Sequence, residues 1–221
     1  MSLTLYGFGR VNSKVVGLTR DLRVLWMLEE TGLPYQVRGL DHPAGEFRSE
    51  EFRRLSPFSQ APVLDDEGFV LTETGAVVLY LAEKTGKLMP ADLKGRAQVT
   101  RWCFAALNTL EPPLFQIAMI DLFGAEDPTG AQRRPGLVEW ADRGLSGLED
   151  WLKERPYLTG EEFTVADLLM TTVLREVRHG GVLERYPRVS AYRERCEARP
   201  SWQRTLDAYE QRLGVAAGSA R

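Results

Sequence analysis

Glu73 and Thr74 stand where a helix begins, and Pro62 stands at the mouth of the short apolar run before them. Each spot offers main-chain groups to a ligand. The first amides of a helix have no partner within it, so a helix start attracts a carboxylate. A proline ahead of an edge strand is a natural place for a cis peptide bond. A kink there turns the N–H and C=O of Ala61 away from the sheet ladder, where they can pair with a peptide lying alongside as an extra strand. Each feature has a plainer reading too: Pro62 can shape a turn, and "ET" ahead of a helix can be a cap alone. Metal chemistry has almost no candidates. His42 and His179 are the two histidines, Cys103 and Cys196 are far apart, and neither cysteine sits in a CxxC pair.

The elements that must position this corner can be read on either side of it. Pro62-Val63-Leu64 and Phe69-Val70-Leu71 flank Asp65-Asp66-Glu67-Gly68, a pattern that predicts a hairpin. Val77, Tyr80, Leu81 and Lys84 then fall at helical spacing until Gly86 stops the helix. Upstream, Leu3–Phe8 reads as a strand, Asp21–Thr31 as an amphipathic helix ended by Gly32, Tyr35–Leu40 as a second strand, and Glu46–Leu55 as a charged helix that buries Phe47 and Phe52. The order β-α-β-α-β-β-α suits a small mixed sheet flanked by helices.

Beyond "KLMPADLKG" the pattern is almost all helical. One long apolar-periodic stretch is expected to break at Pro112-Pro113, with Val99, Cys103, Ala106 and Leu110 on its core stripe. Leu145, Leu148 and Leu152 mark another helix. "FTVADLL" predicts a buried helix start, with Thr164 and Asp167 as a capping box and Phe163 and Leu168 as a hydrophobic staple. The expected organisation is an α/β (α+β) domain over 1–86, a linker over 87–95, an all-α helical bundle over 96–214, and a fraying tail over 215–221.

Composition bounds the function. A net charge of −3 argues against a nucleic-acid binder. No segment approaches a membrane span, and "MSLTLYGFGR" lacks the basic start and long apolar segment of a signal peptide. Unpaired, scattered cysteines fit a reducing, cytoplasmic location.

Taken together, "RVLWMLEETGLPY", "LSPFSQAPVL", "LTETGAVVLYLAE" and "YLTGEEFTVADLL" resemble the cytosolic glutathione transferase superfamily, and in particular a bacterial, theta/nu-like member. The resemblance covers essentially the whole chain. It implies a thioredoxin-like first domain, a helical second domain, and glutathione as co-substrate. On that basis Ala61, next to Pro62, would hold the cysteinyl main chain. Thr74 would take the γ-glutamyl carboxylate, Glu73 would pair with its ammonium, and Gln60 would contact the glycyl end. The eleven-residue spacing from Pro62 to Glu73 is the one the resemblance calls for.

Glutathione reacts as thiolate, and an unperturbed thiol has a pKa of about 8.5. A helix N-terminus and one hydroxyl donor can lower it. The segment Gly9–Asp21 is several residues longer than the resemblance implies, so the donor depends on the direction of counting. Counted back from "LRVLW", Thr19 takes the place of a theta-like activating serine. Counted forward from the strand, Asn12 or Ser13 takes it. Tyr6 matches the tyrosine used by alpha-, mu- and pi-type members. Thr19 comes first in this reading, then Ser13 and Asn12, then Tyr6, although Thr19 also suits a plain helix cap. The loop holds no cysteine, which argues against members that use one for thiol transfer.

The resemblance places an acceptor site between the two halves. Phe8, Arg101, Trp102, Phe104, Ala105 and Asn108 are possible walls, and Arg101, Ala105 and Asn108 are the best placed of them. It also implies a homodimer built largely from the helices Thr74–Lys84 and the one beginning near Arg96. Conjugation of a small electrophile, a detoxifying reaction, is the leading activity. Disulfide reduction, peroxide reduction or isomerisation on the same thiolate is the second, and a non-catalytic dimeric binding module the third.

Overall fold

The computed structural model describes residues 3–124 and 128–221. The chain divides into two compact units, Met1–Thr85 with Arg199–Arg221, and Gly86–Ala198.

In the first unit, strand β1 (Leu3–Arg10) leads to helix α1 (Asp21–Thr31), strand β2 (Tyr35–Asp41) and the short helix α2 (Glu50–Leu55). Strands β3 (Val63–Asp66) and β4 (Phe69–Leu71) form the hairpin, and helix α3 (Thr74–Thr85) follows. The sheet order is β2-β1-β3-β4, with β1 parallel to β2 and antiparallel to β3. This is a thioredoxin-like arrangement. Period-two alternation along β1 sorts its side chains onto two faces. Leu3 and Leu5 are buried on the face covered by α1 and α3. Tyr6 and Phe8 join Leu40, Phe47, Phe52 and Val63 on the face covered by α2.

Local chemistry explains the boundaries. Gly32 ends α1 with φ +69, its N–H returning to Leu28 O at 2.9 Å. The hairpin turns on Glu67 (φ +55) and Gly68 (φ +94), two successive left-handed residues that match the twist of the flanking strands. The charged helix expected over Glu46–Leu55 is divided. A 3₁₀ turn occupies Glu46–Arg48, and extended Ser49 then caps α2 by accepting from Phe52 N at 3.2 Å.

Two features differ from the expected organisation. The last helix, α9 (Pro200–Leu213), belongs to the first unit rather than to a helical domain running to residue 214. Its buried stripe of Trp202, Leu206 and Tyr209 packs on α1, with Trp26 and Trp202 ring centroids 4.6 Å apart. Glu30 reinforces the contact, accepting from Arg199 at 2.6 and 2.8 Å, while Trp26 Nε1 on its own helix also donates to it at 3.2 Å. The tail over 215–221, expected to fray, is folded back instead. Glu210 accepts from Gly218 N at 2.9 Å and Ala220 N at 2.8 Å, and Ala220 is fully buried.

The second unit is helical: α4 (Leu93–Phe104), α5 (Glu111–Phe123), α6 (Pro128–Trp151), α7 (Val165–Leu174) and α8 (Pro187–Glu197). Asp92 caps α4 from inside the expected linker, accepting from Gly95 N at 2.9 Å. No break occurs at Pro112-Pro113. Those prolines occupy the first turn of α5, where a missing N–H costs nothing, and a π-helical segment over Ala105–Leu110 carries the irregularity upstream. Val99, Cys103, Ala106 and Leu110 are buried as their spacing predicts. α7 is buried along its whole length and its capping box forms. Asp167 there accepts from Thr164 N (2.8 Å), Thr164 Oγ1 (3.0 Å), Leu158 N (2.8 Å) and Tyr192 Oη (2.9 Å). Burial pushes its carboxyl up, against four donors that hold the charged form. Among the described residues no helix is long and apolar enough to cross a membrane.

Candidate functional site

Register brings the separate motifs of the first unit to one end of its sheet. Tyr6 in β1 pairs with Val63, the first residue of β3, and Leu64 pairs with Leu71, the last of β4. The end of β1, the start of β3 and the end of β4 therefore share an edge. The loop between β1 and α1, the Ala61–Pro62 corner and the entry to α3 all leave from it.

The corner is built by Ser56, which is 2% exposed. Its hydroxyl donates to Gln60 O at 2.9 Å and accepts from Gln60 N at 3.0 Å, which fixes the main chain just ahead of the proline. The Gln60 side chain stays exposed. The Ala61–Pro62 peptide bond is cis. Among the described residues the main-chain N–H and C=O of Ala61 have no hydrogen-bond partner. The sheet thus offers one donor and one acceptor on the same residue at its end.

The entry to α3 is more unusual. Glu73 has φ +67, a left-handed conformation that residues other than glycine adopt rarely. Its side chain is exposed, and its carboxylate has no partner among the described residues. Its own C=O accepts from Val77 N at 2.9 Å, so it sits at the cap of α3 with an idle carboxylate. Thr74 opens the helix and is 7% exposed, its hydroxyl also without a partner among the described residues. A cap would spend these groups on the helix's own amides. Here neither group makes such a bond among the described residues.

The loop between β1 and α1 is closed at its base by Asp21, a fully buried residue. Asp21 Oδ2 accepts from Phe8 N at 3.0 Å and from Arg212 at 2.6 Å. Gly7 must lack a side chain, because a Cβ there would lie 2.5 Å from that oxygen. The four predicted donors separate, three of them in this loop and Tyr6 in β1. Thr19 Oγ1 donates to the buried Tyr209 Oη at 2.8 Å, and Thr19 does not cap α1. Asn12 caps a 3₁₀ turn over Ser13–Val15, accepting from Lys14 N at 2.9 Å. Ser13 is exposed, and its hydroxyl has no partner among the described residues. Tyr6 lies on the α2 face, 6.4 Å from Phe52 between ring centroids and with Arg38 5.6 Å from its own ring centre.

Sequence reasoning missed Ser56, Asp21, Arg212 and Tyr209. Ser56 lies within "LSPFSQAPVL", directly before Pro57 and six residues before Pro62, where a serine ahead of a two-proline turn could have been read as its brace. The other three act through contacts that α9 makes with α1 and with the loop before it, which no local pattern announces. In the second unit, Arg101 and Asn108 are exposed, Phe104 is 57% exposed, and Trp102 and Ala105 are half-buried.

Comparison with known proteins bears on this geometry. The family described as "Glutathione S-transferase, N-terminal domain" matches residues 1–83, and "Glutathione S-transferase, C-terminal domain" matches residues 116–200. The mouse glutathione S-transferase theta-2 is 32% identical over 218 residues, spanning 92% of this chain and 87% of its own. A glutathione transferase from Burkholderia graminis, solved with two glutathione molecules per subunit, is 27% identical with a TM-score of 0.81, covering 94% of this chain and 88% of its own. One from Pseudomonas putida, solved with one glutathione disulfide per subunit, is 25% identical with a TM-score of 0.82, covering 93% and 90%.

Proposed function

Because the chain belongs to the glutathione S-transferase family, we propose that it binds glutathione at this end of the sheet, holds its sulfur as the thiolate and conjugates it to a small electrophile. The observation that carries the reading is Glu73, kept in a left-handed conformation with its carboxylate unspent beside the start of α3. In this reading Glu73 pairs with the γ-glutamyl ammonium, and Thr74 with the α3 amides takes the adjacent carboxylate. Ala61 pairs with the cysteinyl main chain as a strand would, and exposed Gln60 reaches the glycyl end. Ser13 donates to the sulfur. Thr19 has one hydroxyl proton and gives it to Tyr209, whereas the Ser13 hydroxyl is uncommitted. Tyr6 is occupied with packing on α2 and takes no part.

A second reading rests on the glutathione disulfide held by the Pseudomonas putida protein. The same thiolate would then attack a mixed disulfide of glutathione, forming oxidised glutathione and releasing the other partner as a thiol. A rate panel of electrophiles and mixed disulfides, each with reduced glutathione, separates the two. Turnover of electrophiles supports conjugation, and turnover confined to disulfides overturns it in favour of reduction.

The protein is further proposed to be a cytoplasmic homodimer. Exposed Phe58 (73%) and Phe69 (52%) supply apolar surface of the kind such contacts cover, and both cysteines are free and buried. Sedimentation at micromolar protein checks the oligomeric state, and a monomer there overturns it.

A further inference from the structure

We propose that the folded-back C-terminal tail is a strap that holds the loop between β1 and α1 in its working shape, making Tyr209, Glu210 and Ala220 positioning residues for the thiol donor. The inference rests on the reading of that loop as the carrier of the donor, Ser13.

The loop's internal bonds are short-range: Val15 N to Asn12 O at 3.0 Å, Val16 N to Ser13 O at 3.4 Å and Leu18 N to Val15 O at 3.0 Å. These set one 3₁₀ turn and say nothing about where that turn sits. Gly17, with φ +79, is a further point of freedom. The far end of the sequence supplies anchorage. Gly17 N donates to Tyr209 Oη at 3.4 Å, and Thr19 Oγ1 donates to the same oxygen at 2.8 Å. Val16 and Gly17 are buried. A Cβ on Gly17 would stand 2.4 Å from Ala220 O and 2.9 Å from Ala220 Cα, so the two backbones touch.

The strap is itself held on a rigid support. After Gly214 (φ +65) the chain reverses, and the 3%-exposed Glu210 carboxylate grips it with one oxygen on Gly218 N and the other on Ala220 N. Arg221 completes the clasp on Gln203 at 2.8 Å and Asp207 at 3.3 Å. All of these acceptors lie on α9, which is fixed on α1 by Trp202 and Arg212. Burial keeps the Tyr209 phenol neutral far into the alkaline range, so its two bonds do not vary with pH near neutrality. The strap thus ties one side of the loop to a packed helix, while the groups at Ala61, Glu73 and Thr74 are built independently of it.

That separation gives a readout a merely structural role would not move. Two variants are compared with wild type: a chain ended after Val215, and Tyr209→Phe, which keeps the buried ring and removes only the hydroxyl. Affinity for reduced glutathione is measured by calorimetry, and the pKa of the bound thiol by thiolate ultraviolet absorbance against pH. The expected result is affinity within about twofold of wild type, a bound-thiol pKa raised by about one unit and kcat lowered about tenfold. In a Ser13→Ala background neither change should raise the pKa further, because the strap acts through that residue. The inference is overturned if the pKa stays put in both variants, if it rises as far without Ser13, or if affinity falls as much as kcat. Failure of wild type to bind glutathione overturns the underlying reading as well and is distinguished at once by the calorimetry.

Discussion

Replacing Glu73 by alanine isolates the site's least explained residue. In the unbound chain its carboxylate makes no hydrogen bond to any described residue, and alanine keeps a side chain on the same left-handed backbone. The free protein therefore loses no contact, and unfolding stability should stay within about 0.5 kcal/mol of wild type. All the loss falls on the complex. A hydrogen bond to a charged group contributes about 1.5–3 kcal/mol, and solvent screening of an exposed pair reduces that. About 1–2 kcal/mol remains, or about 5- to 30-fold in Kd for reduced glutathione. Calorimetric titration at neutral pH measures it, repeated with a glutathione analogue that lacks the γ-glutamyl amino group. If Glu73 pairs with that ammonium, the analogue binds wild type and variant alike. Equal affinity of wild type and variant for glutathione itself, or an undiminished penalty with the analogue, refutes the assignment.

Three further outcomes are expected. Asp167→Asn strands several of the donors that converge on that carboxylate, and should cost about 3 kcal/mol in urea unfolding; a loss under about 1 kcal/mol contradicts the network's role. Glu30 is pulled up by burial but brought below its ordinary value of 4.5 by Arg199, Ser201 and Trp26. Because the folded value is depressed, its stabilisation is present above pH 4.5 and is lost as pH falls through the folded value, so Glu30→Gln should be the less stable at neutral pH and flatten the acid limb of the stability curve. An unchanged acid limb contradicts this. Ser13→Ala should raise the bound-thiol pKa and spare affinity, whereas Thr19→Ala should act more weakly, through the loop; the reverse order restores Thr19 as donor.

Features fixed by short-range chemistry were legible in the sequence. Asp21–Thr31 is a helix to the residue, because Gly32 supplies an abrupt left-handed stop. The hairpin follows from Glu67-Gly68, and the capping box from Thr164 and Asp167. Features fixed by distant contacts were not. Pro112-Pro113 reads as a break, yet a proline pair serves equally well as a helix start once the irregularity lies upstream in Ala105–Leu110. The stripe of Trp202, Leu206 and Tyr209 reveals that α9 buries one face but not that α1 receives it. The tail "GVAAGSAR" has the composition of a frayed end, and only the Glu210 carboxylate, reaching two of its amides, holds it. The proposed ligand contacts at Pro62, Glu73 and Thr74 rest on residue type and spacing. The proposed choice of Ser13 over Asn12 and Thr19 has no local signal, because it turns on Tyr209 accepting the Thr19 proton from 190 residues away.

Whether the chain holds glutathione as its thiolate shows in the ionisation of bound glutathione. Wild-type protein saturated with glutathione is titrated with pH while thiolate absorbance is followed. The bound thiol is expected to ionise well below the value of about 8.5 of an unperturbed thiol. A bound thiol that titrates as it does free in solution contradicts it.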